Sequence, residues 1–311
     1  MKYLWLTLLL APLKLHFDFG LAVLSARLVL PVELLQQQGY PHLVAATRSP
    51  EKLRAFSNIG IEVRQADFNA PQTLATAFQG IDRLLLISTD ELSVPGLRIK
   101  QHLAAIEAAK VAGVQHIVYT SMPYPEPGSV IPFAPDHYAT EQALEQSGLG
   151  YTILRVSWYA DNLLGFLPQL LAAGKWFTAA GEGRIAYIPR EDVARATAAA
   201  LAAPTTTSAS YDLTGPQALS VAEMADLAAE VFQRPLDVVY LAEQQLEKKL
   251  TALAIPAPAA MVVVTDINTR LGKFDIVTNV VEQLTGQAPQ SLRAFFEQSA
   301  TRFTSSGSDS H

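Results

Sequence analysis

The stretch PDHYATEQALEQSG sets His137 and Glu141 four residues apart, which puts both on one face of a helix. An imidazole so placed can donate a proton near neutral pH while the carboxylate orients the ring. An ordinary histidine on a helix surface fits the same pattern. LRVSWYADNLLG carries Trp158, Tyr159 and Asn162, and Tyr124 stands in TSMPYP. Such aromatics beside an amide suit the wall of a flat apolar pocket for a planar small molecule, or else packing between layers of the fold. Two hydroxyl pairs, Ser88–Thr89 and Thr120–Ser121, close apolar runs. Arg48 and Lys52 share the stretch TRSPEK, and Asp67 lies in RQADFNAP, where it serves as a ligand acceptor or a helix cap; Asn69 is the better cap of the two.

Strand-like and helix-like segments alternate from Pro41 onward and would position these groups. HLVAAT (42–47) is a short apolar run, followed by a helix that Ser49 caps and Pro50 opens. IEVRQAD (61–67) alternates as a strand, and DRLLLIST (82–89) is apolar enough to be buried on both faces. A long helix closed by Gly113 leads to the strand QHIVYTS (115–121). A helix over about 134–147 leads to GYTILRV (150–156). Strands joined by helices of this length imply right-handed crossovers and a parallel sheet. The expected fold is therefore α/β, a Rossmann-like doubly wound parallel sheet over residues 1–155. A smaller, mostly helical lobe is expected over 156–303, partly returning to the sheet through SASYDLTG (208–215) and closing a cleft over the strand ends. In that lobe WYADNLLGFLPQLLAAGKW reads as one helix, IPREDVARATAAALAAP as another, and DVVYL as a strand. The polar residues 304–311 read as a disordered tail.

Ligands on such sheets bind beyond the carboxyl ends of the strands. The residues there are Arg48, Asp67, Ser88, Thr89, Thr120, Ser121 and Arg155. An arginine ending the second strand accommodates a 2′-phosphate where an acidic residue would take ribose hydroxyls. Arg48, with Lys52 as second cation, thus favours NADP(H) while leaving NAD(H) open. Asp67 could then meet the adenine, Ser88 and Thr89 lie along the ribose, and Thr120 and Ser121 near the nicotinamide; hydroxyls that satisfy local backbone groups, and an exposed arginine pairing with Glu51 or Asp67, fit the same positions.

Composition narrows the alternatives. The chain has 311 residues, half of them hydrophobic and 17% charged, which is globular composition. A formal charge of −6 without a basic block argues against nucleic acid as a partner. The absence of cysteine removes disulfides and thiolate chemistry and suits a cytoplasmic protein. Six scattered histidines without HExxH spacing give no expectation of a metal. The apolar run from Tyr3 to Leu13 is shorter than the roughly 20 residues a membrane span needs. It resembles the core of a secretory signal, but Lys14 and His16 follow and no small-x-small cleavage site is evident. A buried strand or helix is the plainer reading. A homodimer is compatible with the sequence.

Taken in order, AATRSPEKL, QADF, LLLIST, AAKVAGVQHIVYTS, DHYATEQALEQSGLGYTILR and WYADN resemble the NmrA-like branch of the atypical short-chain dehydrogenases, over roughly residues 33–300. The order and spacing look nearest to its NAD(P)H:quinone oxidoreductases of type 2. The resemblance implies an NADP-binding Rossmann domain and a quinone or similar planar substrate. It places His137 where other branches keep a catalytic tyrosine, with Glu141 at the partner lysine's position. It also admits a non-catalytic NAD(P)-binding regulator acting through a protein partner, or a fold that has lost the dinucleotide. The family opens with a Gly-x-x-Gly-x-x-Gly turn whose backbone N–H groups hold the pyrophosphate. Here no glycine lies between Gly20 and Gly39, so residues 1–32 supply no such site. A reading frame shifted before about Pro31–Leu34, or true divergence, would each explain the departure, and either predicts weakened cofactor binding.

Overall fold

The computed structural model describes residues 3–7, 30–89, 94–253 and 259–305. Its main sheet begins with β1 (Tyr3–Thr7), β2 (Leu43–Thr47), β3 (Glu62–Gln65) and β4 (Arg83–Leu86). It continues with β5 (His116–Ser121) and β6 (Gly150–Val156), and an edge strand from further along the chain completes seven. The spatial order of the first six is β3-β2-β1-β4-β5-β6, and the pairings between successive members are parallel. This is the doubly wound order, with its switch point between β1 and β4. The signal-like apolar run therefore supplies the central strand, Tyr3–Thr7, in register with both Leu43–Thr47 and Arg83–Leu86. The place where the family carries its phosphate turn falls within residues 8–29, outside the described residues, as do residues 306–311; Thr304 and Ser305, expected in a disordered tail, end the last helix instead.

Between the strands run α1 (residues 30–37), a 3-10 turn Pro50–Leu53, α2 (Arg54–Asn58) and α3 (Pro71–Ala77). Two longer helices follow, α4 (Leu97–Ala112) and α5 (Ala134–Gln146). Gly113, at φ 80°, ends α4 in the left-handed conformation that a Cβ would penalise. Leu84, Leu86, Ile117, Tyr119 and Ile153 from the strands pack with Leu74, Phe78, Ile106 and Leu144 from the helices in one apolar cluster. The positions predicted for strands and for α5 agree with these elements to within a few residues.

Beyond β6 come α6 (Asp161–Leu164), α7 (Leu167–Ala173), β7 (Lys175–Thr178), β8 (Arg184–Ile185), α8 (Arg190–Ala202) and β9 (Ala209–Leu213), the edge strand beside β6. β10 (Leu219–Ser220), α9 (Val221–Phe232), β11 (Asp237–Tyr240), α10 (Glu243–Ala252), α11 (Ala259–Arg270), α12 (Val280–Thr285) and α13 (Leu292–Ser305) complete the order. The single helix expected over WYADNLLGFLPQLLAAGKW is instead two short helices and the start of a strand. Pro168 lies in the first turn of α7, where its missing N–H costs nothing, and Gly174 at φ 65° closes that helix. The residues after it pair in parallel with β11.

The chain forms two compact units. The first holds Met1–Pro127, Phe133–Arg155 and Ala194–Tyr211; the second holds Gly128–Pro132, Val156–Val193 and Asp212–His311. In the first, buried Arg83 donates to the carbonyls of Ala200, Leu201 and Thr205, satisfying the open C-terminal end of α8. In the second, Asp266 of α11 accepts from the Thr178 hydroxyl at 2.8 Å and the Ala179 N–H at 2.7 Å, fixing the end of β7.

Candidate functional site

Parallel pairing brings the carboxyl ends of β2 to β6 to one edge of the sheet, and with them Arg48, Asp67, Ser88, Thr89, Thr120 and Ser121. At the end of β2 the Thr47 hydroxyl accepts the Ser49 N–H at 3.2 Å. Ser49 stands at the cap position of the next turn but makes no side-chain cap bond. Arg48 Nε is buried and has no hydrogen-bond partner. Lys52 is exposed on the turn that follows.

Asp67 Oδ1 accepts the Asn69 N–H at 2.9 Å, and the Asp67 N–H bonds the Thr73 hydroxyl at 2.8 Å. Asn69 does not cap α3, which begins after Ala70 without a side-chain cap. Its Oδ1 instead accepts from Gln101 of α4 at 2.9 Å. At the ends of β4 and β5, the Ser88 N–H bonds Thr120 Oγ1 at 3.0 Å, and the Thr89 N–H bonds His102 Nε2 at 3.1 Å. Thr89 Oγ1 is buried without a partner. The two hydroxyl pairs are therefore joined: one holds the backbone of the other.

The expected pairing of His137 with Glu141 is not formed. His137 is 3% exposed, with Nε2 2.8 Å from Arg98 Nη2 and Nδ1 2.8 Å from Tyr119 Oη. A guanidinium only donates, so Nε2 is the acceptor and Nδ1 carries the proton toward Tyr119. By the same reasoning His102, accepting from the Thr89 N–H, donates from Nδ1 to Thr140 Oγ1 at 2.9 Å. The Thr140 hydroxyl donates in turn to the Asp136 carbonyl at 2.6 Å. Burial, then the Arg98 charge, holds the His102 ring down at about 3. The same two causes, with His102 third, keep His137 well below its ordinary value. Burial also pushes the Tyr119 hydroxyl up. His137 is thus a neutral ring with both nitrogens engaged, and it has no proton to offer a substrate at neutral pH.

Glu141, one turn on, faces different partners. Its Oε1 accepts from the Ser121 hydroxyl at 2.6 Å and from Arg155 Nε at 3.1 Å, and its Oε2 accepts from Arg155 Nη2 at 2.6 Å. Arg155 Nη1 also reaches Glu126 at 3.2 Å. Arg98, His102, Tyr119 and Gln101 escape a sequence reading, because each meets its partner from another element. Arg155 carries the one available signal, a charged residue near the end of an otherwise apolar strand.

The expected pocket residues are placed apart by unit. Tyr124, in the first, is 40% exposed with φ 47°. In the second, the Trp158 ring lies 5.4 Å from that of Phe274. Arg190 brings the other two together: its guanidinium sits 5.0 Å from the Tyr159 ring centre and donates to Asn162 Oδ1 at 2.7 Å. Among the described residues no cluster of three metal-ligating side chains occurs, and no helix is long and apolar enough to cross a membrane.

A family of NAD(P)H-binding domains matches residues 27–204, more than half the chain. The chain belongs to this family, in the NmrA-like branch that its motifs resemble. It is 34% identical over 251 residues to quinone oxidoreductase 2 of Escherichia coli, covering 80% of this chain and 86% of that protein. An NAD(P)H azoreductase of Xenophilus azovorans is 29% identical over 229 residues, 74% of this chain and 78% of the relative. The crystal structure of the E. coli NADPH-dependent quinone oxidoreductase complexed with NADPH superposes with a TM-score of 0.82 at 29% identity, covering 98% of this chain and 100% of that one. The family's cofactor, NAD(P)H, fits the residues present: the buried, unpartnered Arg48 Nε ends β2 where a 2′-phosphate would need a donor.

Proposed function

We propose that this chain is an NAD(P)H-dependent reductase of a quinone or a similar planar carbonyl compound. The observation that carries the reading is Arg48, a cation with an unused buried donor at the end of β2, in a sheet whose switch point lies one strand away. In this reading Arg48 and Lys52 hold the 2′-phosphate and Asp67 borders the adenine. Ser88 and Thr89 line the ribose, and Thr120 and Ser121 flank the nicotinamide. Tyr124, Trp158, Tyr159 and Asn162 bind the planar substrate. When bound, NAD(P)H supplies the hydride. The side chains bind and orient, since His137 is committed to Arg98 and Tyr119 and leaves substrate protonation to solvent. The names of the relatives, a quinone reductase and an azoreductase, support a planar acceptor.

The sealed state of His137 also suits a second reading, a non-catalytic NAD(P)-binding sensor that works through a protein partner. NADPH fluorescence titration, followed by NADPH oxidation with a simple benzoquinone, separates the two. Binding with turnover supports the reductase, binding without turnover the sensor, and no binding overturns both. The missing glycine turn sets the expected affinity in the micromolar range or weaker; submicromolar binding would contradict that impairment. Arg48→Ala should lower the preference for NADPH over NADH by roughly tenfold to a hundredfold, the value of a charge-assisted hydrogen bond.

A further inference from the structure

We infer that Ser121 is an acceptor-only contact for its ligand, and that Glu141 is the positioning residue that makes it so. The inference rests on the reading above, in which the end of β5 meets the nicotinamide. A serine hydroxyl has one proton and two lone pairs. The Ser121 proton goes to Glu141 Oε1 at 2.6 Å, the short distance of a charge-assisted bond. Glu141 is 2% exposed and cannot turn away, because Arg155 grips it through Nε and Nη2. Arg155 is steadied in turn by Glu126 at 3.2 Å. The chain Glu126–Arg155–Glu141–Ser121 thus fixes the direction of one hydroxyl. Only lone pairs remain at Ser121 Oγ for a ligand, and they select a donor. Of the two polar ends of a nicotinamide carboxamide, that donor is the NH2 group, and the carbonyl is refused.

The geometry sets a direct test by calorimetric titration with NADP+ and with its 3-acetylpyridine analogue, in which a methyl group replaces the carboxamide NH2. The unaltered protein should bind NADP+ about tenfold more tightly than the analogue, the worth of one hydrogen bond plus an unmet acceptor. Ser121→Ala should bring the ratio to about one, and Ser121→Thr should keep it. Glu141→Gln offers Ser121 an amide N–H, which frees the serine proton and should bring the ratio to one or below. A merely structural role would weaken both nucleotides alike and leave the ratio alone. A ratio unchanged in Ser121→Ala overturns the inference while leaving the reductase reading intact. Failure of the unaltered protein to bind either nucleotide would overturn both together.

Discussion

Two buried polar clusters meet on the inner face of α5, one turn apart, and they are built on opposite principles. Around His137 the groups are neutral: two imidazoles, a phenol and a threonine are held by hydrogen bonds that end on the Asp136 carbonyl, with Arg98 at the border. Around Glu141 the bonds run between a carboxylate and a guanidinium, and the circuit reaches the surface through Glu126. The first arrangement engages all four ring nitrogens within the protein. The second leaves lone pairs at Ser121. Burial alone therefore does not mark a working residue; what matters is whether any hydrogen-bonding capacity is left for a ligand.

The largest effect should come from opening the charged cluster. Glu141→Ala strands Arg155 and should lower stability by about 3 kcal/mol, the low end for a broken buried pair because Glu126 remains. Urea unfolding measures it, and a loss below about 0.5 kcal/mol, ordinary for a surface change, would break the contrast. The neutral cluster should show itself in acid. His102 and His137 titrate lower folded than unfolded, so their contribution is present above pH 6.5 and is lost as pH falls below it, for His102 down to about 3. Each ring should cost up to about 1.4 kcal/mol per pH unit in that window, read from thermal melts; a flat profile down to about pH 4 would count against neutral rings. The smallest effect lies in the second unit, where burial raises the Asp266 carboxyl to about 6. Its sign is opposite: the contribution is full below 3.8 and is lost as pH rises through 6. Asp266→Asn should erase that component of the slope, read from the same melts.

How far the residues disclose the fold follows the range of the interaction concerned. Strands such as 115–121 and 150–156 are legible because an apolar run bounded by turns is a local signal. The break after Leu164 is signalled by Gly165 and Pro168, but the helical rhythm of WYADNLLGFLPQLL outweighs it. The i, i+4 spacing correctly puts His137 and Glu141 on a shared face, and it cannot supply their partners. Arg98 and Ser121 approach from α4 and β5, and nothing near residues 137–141 encodes that approach. Arg48 lies between these extremes, since its position after β2 is local while its unpaired Nε emerges only once the side chain is placed.

The position of β1 has a consequence for how the molecule is made. Tyr3–Thr7 is synthesised before the other strands of its sheet, yet it forms the middle of that sheet and needs a neighbour on each side. Leu43–Thr47 can join it early, whereas Arg83–Leu86 is synthesised some eighty residues later. Until then one edge of the future central strand has its backbone groups open, and a nascent chain paused in that interval carries an unpaired edge suited to misassociation. A bulky group fused next to Tyr3 would act on the assembly of the sheet well before it could act on any ligand.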